Sequence, residues 1–137
     1  MSKQIHHLHA LADLLGRRCP FILFATLDQG YGGLSSARDH GPRLAVFLSP
    51  GTARWKALRE VLNVVEEASW PDLEVVILND SDPETKFRAS QGICVMTAQG
   101  MNELLSSFRR QAWLDYRLFR AHLRRKGITD IEGGLRQ

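Results

Sequence analysis

The spacing of apolar residues changes period several times along the chain, and each change marks an element. Leu8, Leu11, Leu14 and Leu15 share one side of a helix predicted over residues 2–15, which Gly16, Arg17 and Arg18 are expected to close. Pro20 then opens a strand. The continuous apolar run from Phe21 to Thr26 suits a strand covered on both faces. A turn-rich connection from Leu27 to Pro42 contains Gly30, Gly32, Gly33 and Gly41, and is long enough for a short helix or a ligand loop. Arg43 to Ser49 predicts a second strand ended by Pro50 and Gly51. Thr52 is the expected N-cap of a helix running to about Ala68, with Trp55, Leu58, Val61, Leu62 and Val65 in helical period. Pro71 breaks the chain, Leu73 to Leu78 predicts a third strand, and Pro83 opens a short helix that Gly92 ends. Ile93 to Met96 reads as a fourth strand, followed by a long helix from about Gln99 to Lys126.

In that last helix Met101, Leu105, Phe108, Ala112, Phe119 and Leu123 form a core stripe at three- and four-residue spacing. Leu104, Trp113, Leu114 and Leu118 add a second apolar flank, more than one buried face requires, a surplus that can mark a partner helix though packing within the chain is the commoner case. The 137 residues, 44% apolar and 24% charged, are enough for a single soluble domain over 1–127, with a loose tail expected over 128–137. No apolar run approaches the roughly 20 residues of a membrane span, and the N-terminus is too polar for a secretory segment, so a cytoplasmic location is expected. Cys19 and Cys94 read as free thiols, Cys94 a buried one.

The net charge of +3 is unevenly spread: every charged residue from Glu60 to Glu84 is acidic, whereas Arg109 to Lys126 holds seven basic side chains against Asp115. The two stretches could attract each other. A basic helix of this kind marks a nucleic-acid face, an acidic protein partner or self-association, or is simply a solvated face, and the last is the commonest case.

The order strand, Gly-containing loop, strand, helix, strand, short helix, strand, long helix resembles the minimal nucleotidyltransferase domain of the DNA polymerase β superfamily. That family carries a strand ending in Leu-Phe-Gly-Ser, then Arg-Ala-Arg-Gly, a variable loop, and Ser-Asp-x-Asp-Leu-Ala-Val. Here the matching stretches are Leu23-Phe24-Ala25-Thr26, Leu27-Asp28-Gln29-Gly30 and His40-Gly41-Pro42-Arg43-Leu44-Ala45-Val46. The family's third strand, Val-Asp-Val-Val-Asp-Leu-Asn, is close to Leu73-Glu74-Val75-Val76-Ile77-Leu78-Asn79, and its terminal Arg-aromatic-Tyr pattern is similar to Phe108 through Tyr116. Roughly residues 4 to 126 take part in the likeness, which lies in order and spacing, since no single motif is intact.

The resemblance implies an α/β (α+β) nucleotidyltransferase-like fold, with a four-stranded mixed sheet flanked by helices and a long C-terminal helix. In the family a Gly-Ser pair lets the backbone approach a triphosphate, and three acids hold two Mg²⁺ ions for in-line nucleotidyl transfer. Here Ala25 and Thr26 stand for the Gly-Ser pair, Gly41 and Arg43 for two of the acids, and only Glu74 keeps a carboxylate. One carboxylate beside a fixed cation is a poor Mg²⁺ site, so neither metal nor cofactor is expected. The expected function is therefore that of a catalytically silent, antitoxin-like interaction module. The resemblance implies a small helical HEPN-type partner; the aromatic last helix suggests a homodimer. The alternative is an active Mg²⁺- and ATP-dependent nucleotidyltransferase with Asp28 or Asp39 recruited beside Glu74. Arg43 is also expected to pair with Glu74 across neighbouring strands, or else both reach solvent at the sheet's end.

Other constellations are weaker. Thr26, Gly30, Arg38 and Arg43 are candidates for holding a nucleotide's phosphates without chemistry. His6, His7 and His9 lack a third ligand type nearby, and His40 has no recognisable nucleophile to serve. Ser35, Ser36 and Cys19 fit no hydrolase signature, and residues 30–33 are not a phosphate-loop motif. Nucleic-acid binding through the last helix is the less favoured reading, because Trp113, Tyr116 and Phe119 fit packing as well as base stacking.

Overall fold

The structure, a computed structural model, describes residues 2–28, 41–70 and 72–126. Helix α1 (Ser2–Arg18) leads into β1 (Ile22–Asp28), β2 (Arg43–Leu48), α2 (Arg54–Glu67), β3 (Glu74–Ile77), a 3-10 turn over Leu78–Asp80, α3 (Pro83–Ser90), β4 (Ile93–Thr97) and α4 (Asn102–Arg125). The strands form one mixed sheet in the order β3-β2-β1-β4, antiparallel except where β2 meets β3. This is the α/β arrangement expected from the order of elements.

The apolar run in β1 is buried on both faces, as its composition requires. One face carries Ile22, Leu27, Leu44, Val46 and Leu48 against Leu11 and Leu15 of α1 and Val61 and Val64 of α2. The opposite face carries Phe24 and Ala45 against Leu78, Ala89 of α3 and Leu105 of α4. On that side Phe24 stacks on Phe47, centroids 5.1 Å apart, and tilts against Phe108 at 5.2 Å. Helices α3 and α4 are joined by Phe87 stacked on Tyr116, with centroids 4.3 Å apart. Each such pair adds about 0.5–1.5 kcal/mol beyond the area it buries.

Side-chain hydrogen bonds set how the strands end. Asn79 Oδ1 accepts from the Leu48 amide at 2.8 Å while its Nδ2 donates to the Leu48 carbonyl at 2.9 Å. The amide group thereby adds one rung to the β2–β3 ladder after β3 has stopped. Pro83 opens α3 in its first turn, as the sequence predicts, and Asp82 caps the helix by accepting from the Thr85 amide at 2.8 Å.

Several expectations are corrected. Helix α1 passes through Gly16 to Arg18, where the guanidinium binds Glu67 and lies 3.8 Å from Glu60 on α2. Thr52 is not the cap of α2: that position is Ala53, and the Thr52 hydroxyl donates to the Ser49 carbonyl at 2.7 Å. Because the buried stripe of α2 is Ala57, Val61, Val64 and Val65, Trp55 lies about half a turn away from it and is 72% exposed. Cys19 is the buried thiol and Cys94 the exposed one, since β4 is an edge strand. The acidic stretch is not neutralised by the basic one. Among the described residues its ion pairs run to Arg18, Arg43, Arg54 and Arg88, none of them on α4. The tail expected over 128–137 lies outside the described residues, among which no helix is long and apolar enough to cross a membrane.

Candidate functional site

At the end of the sheet where β2 and β3 begin and β1 finishes, the register sets Asp28, Arg43 and Glu74 side by side on three adjacent strands. Cross-strand partners project to the same face. That face is the one covered by α3 and α4, because Ala45, two residues along β2, belongs to their core. The Arg43 side chain is 19% exposed and donates through Nε to Glu74 Oε1 at 3.4 Å, while Glu74 is 54% exposed. The ends of β2 and β3 are also joined by the Glu74 amide donating to the Pro42 carbonyl at 3.2 Å.

Arg43 therefore separates the two acids that flank it. With neighbouring strands about 4.8 Å apart, the backbones of Asp28 and Glu74 stand about 10 Å from each other with Arg43 on the strand between them. Mg²⁺ needs close oxygen ligands at about 2.1 Å and is repelled by the fixed cation. Among the described residues, Asp28, Arg43 and Glu74 do not by themselves fit a two-metal centre. Among the described residues no group of three His, Cys, Asp or Glu side chains converges elsewhere either.

The remaining candidates are dispersed. Gly41 is exposed, and a Cβ built on it meets nothing within 4 Å among the described residues. Ala25 and Thr26 lie inside β1 rather than in a loop, both 0% exposed, and Thr26 Oγ1 is buried without a hydrogen-bond partner. A phosphate-contacting hydroxyl has to be reachable, and Thr26 is not. Gly30, Arg38, Asp39 and His40 lie outside the described residues. His7 packs against Trp70 with ring centroids 5.6 Å apart, and His9 is exposed.

Two residues beside this end of the sheet escaped the sequence reading. Gly92, expected only to stop α3, lies so close to β1 that a Cβ on it would be 2.5 Å from the Leu27 carbonyl oxygen. Its own carbonyl accepts from Arg109 Nη2 at 3.0 Å, which fixes α4 over the strand ends. The signal for Arg109 was present in the Arg-aromatic pattern of the last helix; nothing in the sequence distinguishes a close-packed glycine from a helix stop.

A sheet of this order, with two helices on one face and α3 and α4 on the other, is the nucleotidyltransferase-like α/β fold. Toxin–antitoxin structures are among the solved structures that share it over nearly the whole chain. The MntA–HepT complex matches with a TM-score of 0.67 at 15% identity, covering 95% of this chain and 99% of the matched one. A toxin–antitoxin structure with AMP-PNP matches at 0.65 and 18% identity, over 92% and 98%. A tri-AMPylated Shewanella oneidensis HEPN toxin in complex with MNT antitoxin matches at 0.66 and 19% identity, over 97% and 100%. At such identities the likeness establishes the fold, that of the minimal nucleotidyltransferase structures. No protein-family model and no characterised protein matches the chain by sequence.

Proposed function

We propose that this chain is a catalytically silent nucleotidyltransferase-fold module of the antitoxin kind, cytoplasmic, that acts by binding a small helical HEPN-type protein. The observation that carries the silent part is Arg43 between Asp28 and Glu74, a cation where in-line transfer to a hydroxyl needs metal ions to neutralise the leaving pyrophosphate. The partner part is supported by the complexes in which this fold occurs among its structural neighbours. Co-expression with a HEPN-type toxin is expected to restore growth and to yield a co-purifying complex. Incubation of that complex with ATP and Mg²⁺ is expected to leave the toxin's intact mass unchanged. An adenylyl mass increment would overturn the silent reading, and failure to co-purify would overturn the partner reading.

A second reading is favoured by Asp28 at the end of β1 and by the neighbour bound to AMP-PNP: nucleotide binding, with or without transfer. Calorimetric titration with ATP and GTP, each with and without Mg²⁺, separates the cases. Mg²⁺-dependent binding marks a rebuilt metal site. Metal-independent binding that is lost in Arg43→Ala marks a sensor.

A further inference from the structure

The outer side of α4 leaves apolar side chains uncovered: Trp113 is 49% exposed, Leu114 45% and Leu118 60%. The inner face is already used by Leu105 and Ala112, so these residues are not spare core. Ser107, Gln111, Leu114, Leu118, Ala121 and Arg125 follow one another at alternating spacings of four and three, the register of a two-helix coiled contact, in which Leu114, Leu118 and Ala121 are the apolar seam positions. Arg110, Arg117 and Arg124 recur every seven residues along one flank of that seam, and all three are exposed. None has a carboxylate partner among the described residues: Arg110 donates to the Ser107 hydroxyl at 3.3 Å, and Arg117 lies over its own Trp113 ring at 4.9 Å. Beside the seam runs an open groove of about 500 Å³ between Leu114, Leu118 and Ala121 on one side and Arg117, Arg120 and Arg124 on the other.

Charge selects the occupant. Antiparallel pairing with a second copy sets arginine flank against arginine flank, and parallel pairing sets the three arginines against Phe108, Asp115 and His122, a flank with a single carboxylate, so neither arrangement neutralises them. A nucleic-acid strand satisfies the arginines but leaves Leu114 and Leu118 in water. A protein helix with an apolar stripe and carboxylates at seven-residue spacing along its flank satisfies both. We propose that the outer face of α4 docks such an acidic amphipathic helix of a partner protein; that this partner is of the HEPN type rests on the function proposed above.

The test uses the full chain and a fluorescent synthetic three-heptad helix with Leu at the seam positions and Glu at both flanks, against the same helix with Lys at the flanks. Binding is followed by anisotropy. The Glu helix is expected to bind at least about tenfold more tightly than the Lys helix, and Leu118→Ala to weaken it about tenfold. The triple variant Arg110→Glu, Arg117→Glu, Arg124→Glu is expected to invert the preference; all three are surface positions, and an unchanged circular dichroism spectrum verifies the fold. No binding of the Glu helix, equal binding of both helices, or an unaltered preference in the triple variant would overturn the proposal. So would tighter binding of a uridine oligonucleotide that displaces the Glu helix, or a dimer in sedimentation velocity that Leu118→Ala dissolves and the Glu helix does not. Loss here with HEPN co-purification intact means that the toxin docks elsewhere. Success here without co-purification removes only the HEPN assignment.

Discussion

Gly92 touches the Leu27 carbonyl so closely that an added methyl would sit 2.5 Å from its oxygen and 2.9 Å from its carbon. Backbone on both sides cannot give way, so Gly92→Ala is expected to cost about 2 kcal/mol or more and to loosen Arg109, measured by urea unfolding. Asn79→Ala removes both hydrogen bonds that its amide makes to Leu48, and a loss of about 1–3 kcal/mol is expected in the same measurement. Asparagine after a strand reads as loop punctuation, which is why its role in the ladder was not legible. The two thiols test the burial assignment directly. A thiol reagent at neutral pH is expected to modify Cys94 fast and Cys19 only on unfolding. Burial, reinforced by Glu60, pushes the Cys19 thiol up from 9.0 to about 11, with Arg18 opposing. The unfolded chain therefore releases this proton first: the stability it carries is complete below pH 9, declines as the pH rises, and is gone above about 11. Cys19→Ala is expected to flatten that decline.

At the level of elements, both-face burial made β1 readable and the apolar stripe made α4 readable; the boundaries were less so. The phase of α2 was misread because Trp55 and Leu62 are apolar yet point outward, and periodicity counts apolarity without knowing which side the sheet lies on. Trp55→Ala is accordingly expected to shift stability by less than about 0.5 kcal/mol, whereas Val61→Ala, fully buried in the same helix, is expected to cost about 2 kcal/mol. The surplus flank of α4 was legible as apolar residues beyond what one face needs. Its seven-residue arginine register became meaningful only once the inner face was known to be occupied.

For the molecule as a whole, the order of the sheet decides which charges meet. Sequence alone aligned Gly41, Arg43 and Glu74 with a metal-binding pattern, but the addition of Asp28 on the far side of Arg43 required the antiparallel register of β1 with β2. The pairing of acids with Arg18, Arg43, Arg54 and Arg88, and not with α4, was equally hidden, because a linear charge pattern carries no information on strand order. Exposed pairs such as Arg54 with Asp80 nonetheless leave a titration signature. The hydrogen bond from Arg54 holds the Asp80 carboxyl below its ordinary value, so whatever this pair adds is present above that value and lost as the acid protonates.

The central position of Arg43 also makes it hard to replace. Arg43→Asp alone lines up three carboxylates on adjacent strands with no cation between them, and is expected to lower the melting temperature in metal-free buffer. Only with Gly41→Asp added, at a site with room for the side chain, is Mg²⁺ expected to restore stability, read as a metal-dependent rise in the melting temperature. Removing the cation before anything replaces it is thus the unfavourable step, and the Arg43–Glu74 ion pair acts as a latch on the strand ends.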